Sequence, residues 1–405
     1  MTARISLCMI VRDEAAMLPD FLEAARGVWD ELVAVDTGSL DATPALLAGA
    51  GATVLARPWD GDFAAARNFG LERARGDWLL VLDADERVSP ELSADLRRAA
   101  ADASCGAASL AVVNELPHGH RRRSRLLRMF RNGAGIRFRH AIHEDAGDDV
   151  AAFLTRTGLR RADLAGPLLH LGYARDHAAT RRKRERDVGL LRRTLDRDPS
   201  DLYAHLKLLE QARFWSDAPL RAAAAEGLVR ELERSGVERL RSAHFAGELL
   251  ALAVDGLGAR PVEALAWLDR FAGIVPPSAA YELRRGELRE LAGDATGARD
   301  AFLRCLSLES VTDDGQLATV RPRMGLARLA LAHGDLGGAM DEAARALGLA
   351  PRDPEALLLL ATLHRLAGGP DALARFDGER RAAAGDSDEL RGAVREAARR
   401  AGDME

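Results

Sequence analysis

The chain has 405 residues, 47% of them hydrophobic and 29% charged, a composition that excludes intrinsic disorder and a membrane-embedded bundle. That length exceeds what one core ordinarily organises, so two or three domains are expected. With 57 basic against 62 acidic residues and a net charge of -5, no overall positive field is available to hold nucleic acid, which is excluded as a partner.

The elements then follow in chain order. The run ISLCMIV (residues 5–11) is too short to span a bilayer and lacks a cleavage site, so it reads as a buried strand, not a signal peptide. Amphipathic segments at 14–28, 41–50 and 63–75 alternate with ELVAV, ATVLA and WLLVL. Near-continuous apolar strands between helices indicate a parallel sheet covered on both faces. Another helix begins at Pro90, and another strand is expected over Ala107 to Val113. From about Asp176 strand-like runs disappear and helical spacing dominates. Gly334-Asp335 and Gly293-Asp294 are followed by small residues at matching offsets, and Gly368 lies 34 residues after Gly334. That spacing predicts tetratricopeptide-type helical hairpins, with an earlier one opening in Pro199 to Trp215 and an interruption between Val311 and Val320; the alternative is an irregular helical bundle. Cys8, Cys105 and Cys305 are too few and too scattered for a disulfide framework or a zinc ribbon, and a cytoplasmic protein without a transmembrane segment is expected.

Three predicted strands run into acids: Val11 into Asp13-Glu14, Val35 into Asp36, and Leu82 into Asp83. The carboxyl ends of parallel strands are where ligands bind. Asp13 and Asp41 also read as ordinary helix caps. In Asp83-Ala84-Asp85-Glu86, an extended chain would put Asp83 and Asp85 on one face, two hard carboxylates suited to Mg²⁺ or Mn²⁺. No G-x-x-x-x-G-K-[ST] loop occurs, and no G-x-G-x-x-G follows the first strand. The clusters Arg121–Arg123 with Arg125, and Arg181 to Arg184, read as solvated charge runs, and Trp59 and Trp78 as packing residues.

The segments ISLCMIVRDEAAMLPDFLEAARGVWDELVAVDTGSLDAT, RPWDGDFAAARNFGLERARGDWLLVLDADE, LLRMFRNGAGIRFRHAIHE and LLHLGY closely resemble family 2 glycosyltransferases of the GT-A fold, in a bacterial branch followed by tetratricopeptide repeats. Asp13 departs from the asparagine usual before the glutamate, and Leu40 from a common threonine. The resemblance implies an α/β GT-A domain over 1–175, a linker helix over 176–195 and an all-α repeat domain over 196–405. It also implies inverting transfer of a sugar from a nucleotide donor, expected to be a UDP sugar. Ile10, Val11, Arg12 and Glu14 would pass by the base, Asp36 and Thr37 would face uracil and ribose, and Arg67 and Asn68 would bound the donor pocket. Asp83 and Ala84 would lie near the ribose, with Asp83 and Asp85 as metal ligands and His170 completing the metal shell or packing there. Such transfer needs one carboxylate as general base, where a glycosidase needs two. Glu144 in Ile142-His143-Glu144 is favoured for this role, with His143 as the competitor.

Helical repeats bind polypeptides on their concave face, so a peptide or protein acceptor is expected. A saccharide or lipid acceptor is the enzymatic alternative, and a silent nucleotide-sugar-binding scaffold the non-enzymatic one. Removing residues 196–405 is expected to leave the donor pocket complete.

Overall fold

The computed structural model describes residues 3–115, 121–171, 177–308 and 316–402, with backbone alone at 115, 121–123, 177–182 and 401–402. The chain divides into two compact units, 1–207 and 208–405.

In the first unit, β1 (Ile5–Val11), β2 (Glu31–Asp36), β3 (Thr53–Ala56) and β4 (Trp78–Val81) alternate with α1 (Leu18–Ala24), α2 (Thr43–Gly49) and α3 (Phe63–Leu71). They are followed by β5 (Glu86–Val88), α4 (Pro90–Ala101), β6 (Cys105–Glu115), β7 (Arg121–Arg131), α5 (Gly147–Thr157), β8 (Arg160–His170) and α6 (His177–Arg197). The strands form one sheet in the order β3-β2-β1-β4-β7-β6-β8-β5. The first four are parallel, as expected, but β7 runs antiparallel to β4 and to β6, so the sheet is mixed. An apolar run encodes burial but not direction, so the antiparallel course of β7 is not written in its residues.

Alternation along β1 divides the apolar residues between two cores. Leu7, Met9 and Val11 join Phe21 of α1 and Leu92 and Leu96 of α4, whereas Cys8 joins Leu79 and Val81 with Ala64 and Leu71 of α3 and Phe153 of α5. Each large side chain so buried contributes about 1.5–3 kcal/mol. The helices are trimmed by their caps: Asp62 accepts from the Ala65 amide to start α3, and Ser89 accepts from Leu92 to start α4. The helix expected as a linker packs within this unit. Leu190 and Leu191 of α6 are buried, and the Arg186 guanidinium lies 5.2 Å from the Phe63 ring centroid.

The chain continues through α7 (Leu202–Phe214) into the second unit, which holds α8 (Ala218–Ser235), α9 (Ala246–Gly256), α10 (Pro261–Asp269), α11 (Ala279–Leu291) and α12 (Ala295–Leu306). Next come α13 (Val320–Ala332), α14 (Leu336–Leu349), α15 (Pro354–Ala384) and α16 (Asp388–Gly402). Helical hairpins recur with one turn chemistry. Gly293 and Gly334 take φ of 81° and 78°, the next aspartates cap α12 and α14 through the Gly297 and Gly338 amides at 2.9 Å, and their own amides reach back to Arg289 and Ala330. Ser216-Asp217 repeats this geometry between α7 and α8, with Ser216 at φ 51°, which supports the earlier hairpin read from Pro199 to Trp215. In α15 the left-handed residue is Gly369, not Gly368, and Pro370 follows to break the helix. No helix among the described residues is long and apolar enough to cross a membrane.

Candidate functional site

The carboxyl ends of β1 and β2 are fastened together. The amide and hydroxyl of buried Thr37 both donate to the Val11 carbonyl, at 3.0 and 3.2 Å. Asp36 accepts from the Ser39 hydroxyl and amide. Asp13, at φ 54°, accepts the Leu40 amide at 2.7 Å, and Asp41 accepts those of Ala15 and Thr43. Asp13 and Asp41 therefore brace loops and do not cap helices as expected, the N-caps of α1 and α2 being Met17 and Ala42. The Glu14 amide donates to the Thr43 hydroxyl at 2.7 Å. Ile10 and Val11 end β1, and Arg12 is exposed beside Asp13, so the residues expected around a nucleoside share one sheet edge.

Helix α3 builds a seat for residues 138–145. The Phe63 amide donates to the Ala141 carbonyl at 2.8 Å. The Asn68 amide group donates to the Phe138 carbonyl at 2.8 Å and accepts from the Phe138 amide at 2.9 Å. Asn68, expected to bound a donor pocket, has its side chain committed to that backbone clamp. Arg67, 5% exposed, donates twice to Glu144 Oε1, at 2.9 and 2.6 Å, and reaches Asp83 Oδ1 at 3.3 Å. The helical rise brings Phe63 and Arg67 to one face, so a single short helix holds the expected base next to the D-x-D segment.

The D-x-D itself departs from expectation. Ala84 and Asp85 form a turn closed by the Glu86 amide on the Asp83 carbonyl at 3.1 Å, so the premise that Asp83 and Asp85 share an extended face fails. Asp83 is held by Arg67 and, at 3.5 Å, by Arg128, and its amide donates to Glu86 Oε2 at 2.8 Å. Burial opposes ionisation of Asp83, but the two guanidinium charges outweigh it and hold its carboxyl below the usual range. Glu86 is fully buried; burial pushes its carboxyl up to about 7 against the pull of Arg128, which it meets at 2.9 Å. Ala84 is buried, and its carbonyl accepts from Arg87 at 2.9 Å.

Asp85 faces His170 instead. His170 Nε2 lies 3.4 Å from Asp85 Oδ2, and Nδ1 lies 2.8 Å from the Asn114 amide oxygen. That oxygen only accepts, so Nδ1 carries the hydrogen and Nε2 is directed at the carboxylate. Burial disfavours a charged imidazole, yet the hydrogen bond and charge of Asp85 raise the His170 pKa overall. A proton or a cation must lie between two such acceptors. One imidazole nitrogen and one carboxylate oxygen are donors of the kind Mn²⁺ takes, but no group of three His, Cys, Asp or Glu that could hold a metal ion occurs among the described residues. His143, the rival base, stands at φ 54° with its carbonyl accepting from the Tyr203 hydroxyl. Trp78 is fully buried and Trp59 packs on Phe63, as packing residues do.

Sequence reasoning missed Arg128, Glu86, Asn114 and Tyr203. A lone arginine inside the apolar stretch LLRMF was a readable hint for Arg128, because a charge at a buried strand position needs an acid to face. The side chains of Arg121–Arg123, Arg181 and Arg182, and Gly172 and Tyr173 of the HLGY motif, lie outside the described residues.

Residues 6–161 match the family described as Glycosyl transferase family 2. A TPR repeat-containing protein of Synechococcus elongatus is 38% identical over 239 residues, 56% of this chain and 59% of the relative. An uncharacterized glycosyltransferase of Rickettsia bellii is 32% identical over 96 residues, 24% of this chain and 32% of that one. The chain thus spans less than two thirds of the length of either relative. Among solved structures, PilW, a type IV pilus biogenesis factor, aligns at TM-score 0.41 and 18% identity over 53% of this chain and 92% of its own, too loose a likeness to bear on function.

Proposed function

We propose, from a chain whose residues 6–161 form a family 2 glycosyltransferase domain, that it transfers a sugar from a UDP sugar to a peptide or protein acceptor with inversion at the anomeric carbon. The observation that carries the reading is the Arg67 bridge, which ties Glu144 to Asp83 and so sets a candidate base beside the D-x-D segment. Both Arg67 bonds fall on Oε1 of Glu144, so Oε2 is the oxygen assigned to remove the acceptor proton. Arg67 orients that carboxylate. Ile10, Val11, Arg12, Glu14, Asp36 and Thr37 would line the nucleoside side at the ends of β1 and β2.

Asp85 and His170 would hold a divalent cation, Mn²⁺ or Mg²⁺, which when bound neutralises charge on the departing diphosphate. Asp83, already committed to two arginines, is left to a substrate hydroxyl. The helical hairpins of the second unit offer a surface on which a polypeptide acceptor can lie.

The test is a panel of nucleotide sugars with the full chain, read by metal-dependent release of nucleotide. Asp85→Ala should abolish turnover and remove the Mn²⁺ dependence. Glu144→Gln should keep donor binding while transfer falls by about 10²-fold or more. Full activity in excess chelator would refute the metal role. Label from the donor recovered in lipid or polysaccharide, with none in protein, would move the acceptor to the other class.

A further inference from the structure

The loop that carries Glu144 is closed at its base, where the Arg139 and Asp145 amides each donate to the other's carbonyl at 2.8 and 3.2 Å. Inside that closure the backbone is strained. His140 and His143 take φ of 69° and 54°, a left-handed region that residues with a Cβ occupy only when their surroundings hold them there. Helix α3 holds one side of the loop, through Phe63 to Ala141 and Arg67 to Glu144.

The other side is held by a residue beyond the family match. Tyr203, on the first turn of α7 and within the first unit, donates its hydroxyl to the His143 carbonyl at 2.9 Å. Its ring stacks on the His140 imidazole with centroids 3.9 Å apart and planes 21° apart. The ring's surroundings also carry the Lys207 ammonium, 5.0 Å from its centroid. Asp201 fixes the start of this helical turn by accepting the Ala204 amide at 2.9 Å, and its other oxygen stands 4.0 Å from His140 Nδ1. One side chain therefore contacts both left-handed residues, and the second of them immediately precedes Glu144.

We propose that Tyr203 is a positioning residue for the reaction: by holding the His143 peptide it keeps Glu144 on Arg67 and aimed at the acceptor. The inference rests on the reading of Glu144 as the base. It extends the working part of the transferase to Tyr203: a cut at residue 196, expected to leave the donor pocket complete, would remove Asp201 and Tyr203 from beside the loop that carries Glu144.

The test uses the full chain with Tyr203→Phe, which keeps the stacked ring and removes only the hydroxyl, and Tyr203→Ala, which removes both. Amide hydrogen exchange at Asp145 should be about fivefold faster in Tyr203→Phe, the scale of one lost hydrogen bond, while the melting temperature stays nearly unchanged. With UDP-glucose, UDP-galactose and UDP-N-acetylglucosamine as donor probes, kcat should fall severalfold at constant KM, and further in Tyr203→Ala. Wild-type exchange and kcat in Tyr203→Phe would overturn the inference, as would faster exchange with full kcat. Glu144→Gln is measured beside it. Full turnover in Glu144→Gln would overturn the base assignment, and this inference with it, whereas loss in Glu144→Gln with none in Tyr203→Phe would overturn the Tyr203 role alone.

Discussion

Replacing Arg67 with methionine tests whether the charge network at the sheet edge is held by this one cation. Arg67 is 5% exposed and donates to both Glu144 and Asp83. Without it, two carboxylates and the neighbouring Glu86 would share Arg128 alone. Breaking a buried pair by deleting one partner costs about 3–5 kcal/mol. Methionine restores most of the lost volume but not the cation facing the Phe138 ring at 5.4 Å, a contact worth about 0.5–1 kcal/mol. Part of the penalty is relieved because Asp83 is partly exposed and water can reach it. The net expectation is a loss of about 3 kcal/mol, or roughly a hundredfold rise in the opening equilibrium. Adding Glu144→Gln removes one uncompensated charge and should return about 1–2 kcal/mol, a coupling that independent sites would not show. Hydrogen exchange of the β1 amides, Ile5–Val11, reports the first unit separately from the helical one. A loss below about 1 kcal/mol in Arg67→Met, or strict additivity in the double variant, would refute the bridge as the organising contact.

Two further predictions concern the helical unit. A Cβ on Gly325 would approach the fully buried Phe302 ring to 2.4 Å, so Gly325→Ala should destabilise the unit by about 1–2 kcal/mol despite the better helix propensity of alanine; a raised melting temperature would show that the ring can move aside. Buried Tyr281 donates to the Leu268 carbonyl at 2.5 Å, and burial raises its pKa from 10.0 to about 12. Between those values the unfolded chain has released a proton that the folded one keeps, so this contribution to stability is whole below pH 10 and is lost as pH rises through 12. Tyr281→Phe should be about 1 kcal/mol less stable at neutral pH, with the gap to the wild type closing above pH 10; a constant gap in pH-dependent unfolding would contradict this.

The elements were legible where one physical signal dominates. Buried apolar runs marked β1, β2 and β4, and Gly-Asp followed by small residues marked the hairpin turns, because a left-handed residue and an aspartate cap are local requirements. The positions of Asp83 and Asp85 as candidates were likewise readable, since strand ends and carboxylates are properties of the chain alone, whereas Glu144 was singled out only through the family resemblance.

What each carboxylate faces was decided by tertiary structure. Asp83 and Asp85, two residues apart, are separated by a turn; one is committed to Arg67 and Arg128 and the other to His170, whose orientation depends on Asn114 from β6. Asn68 looked like a pocket residue beside Arg67, yet it clamps the Phe138 backbone 70 residues away. Strand direction escaped too, because β7 buries the same kinds of residue whichever way it runs. The reason is common to all three: burial and turn preference are written into neighbouring residues, whereas ion pairing in a low-dielectric interior is settled by groups that only the folded chain brings within a few ångströms.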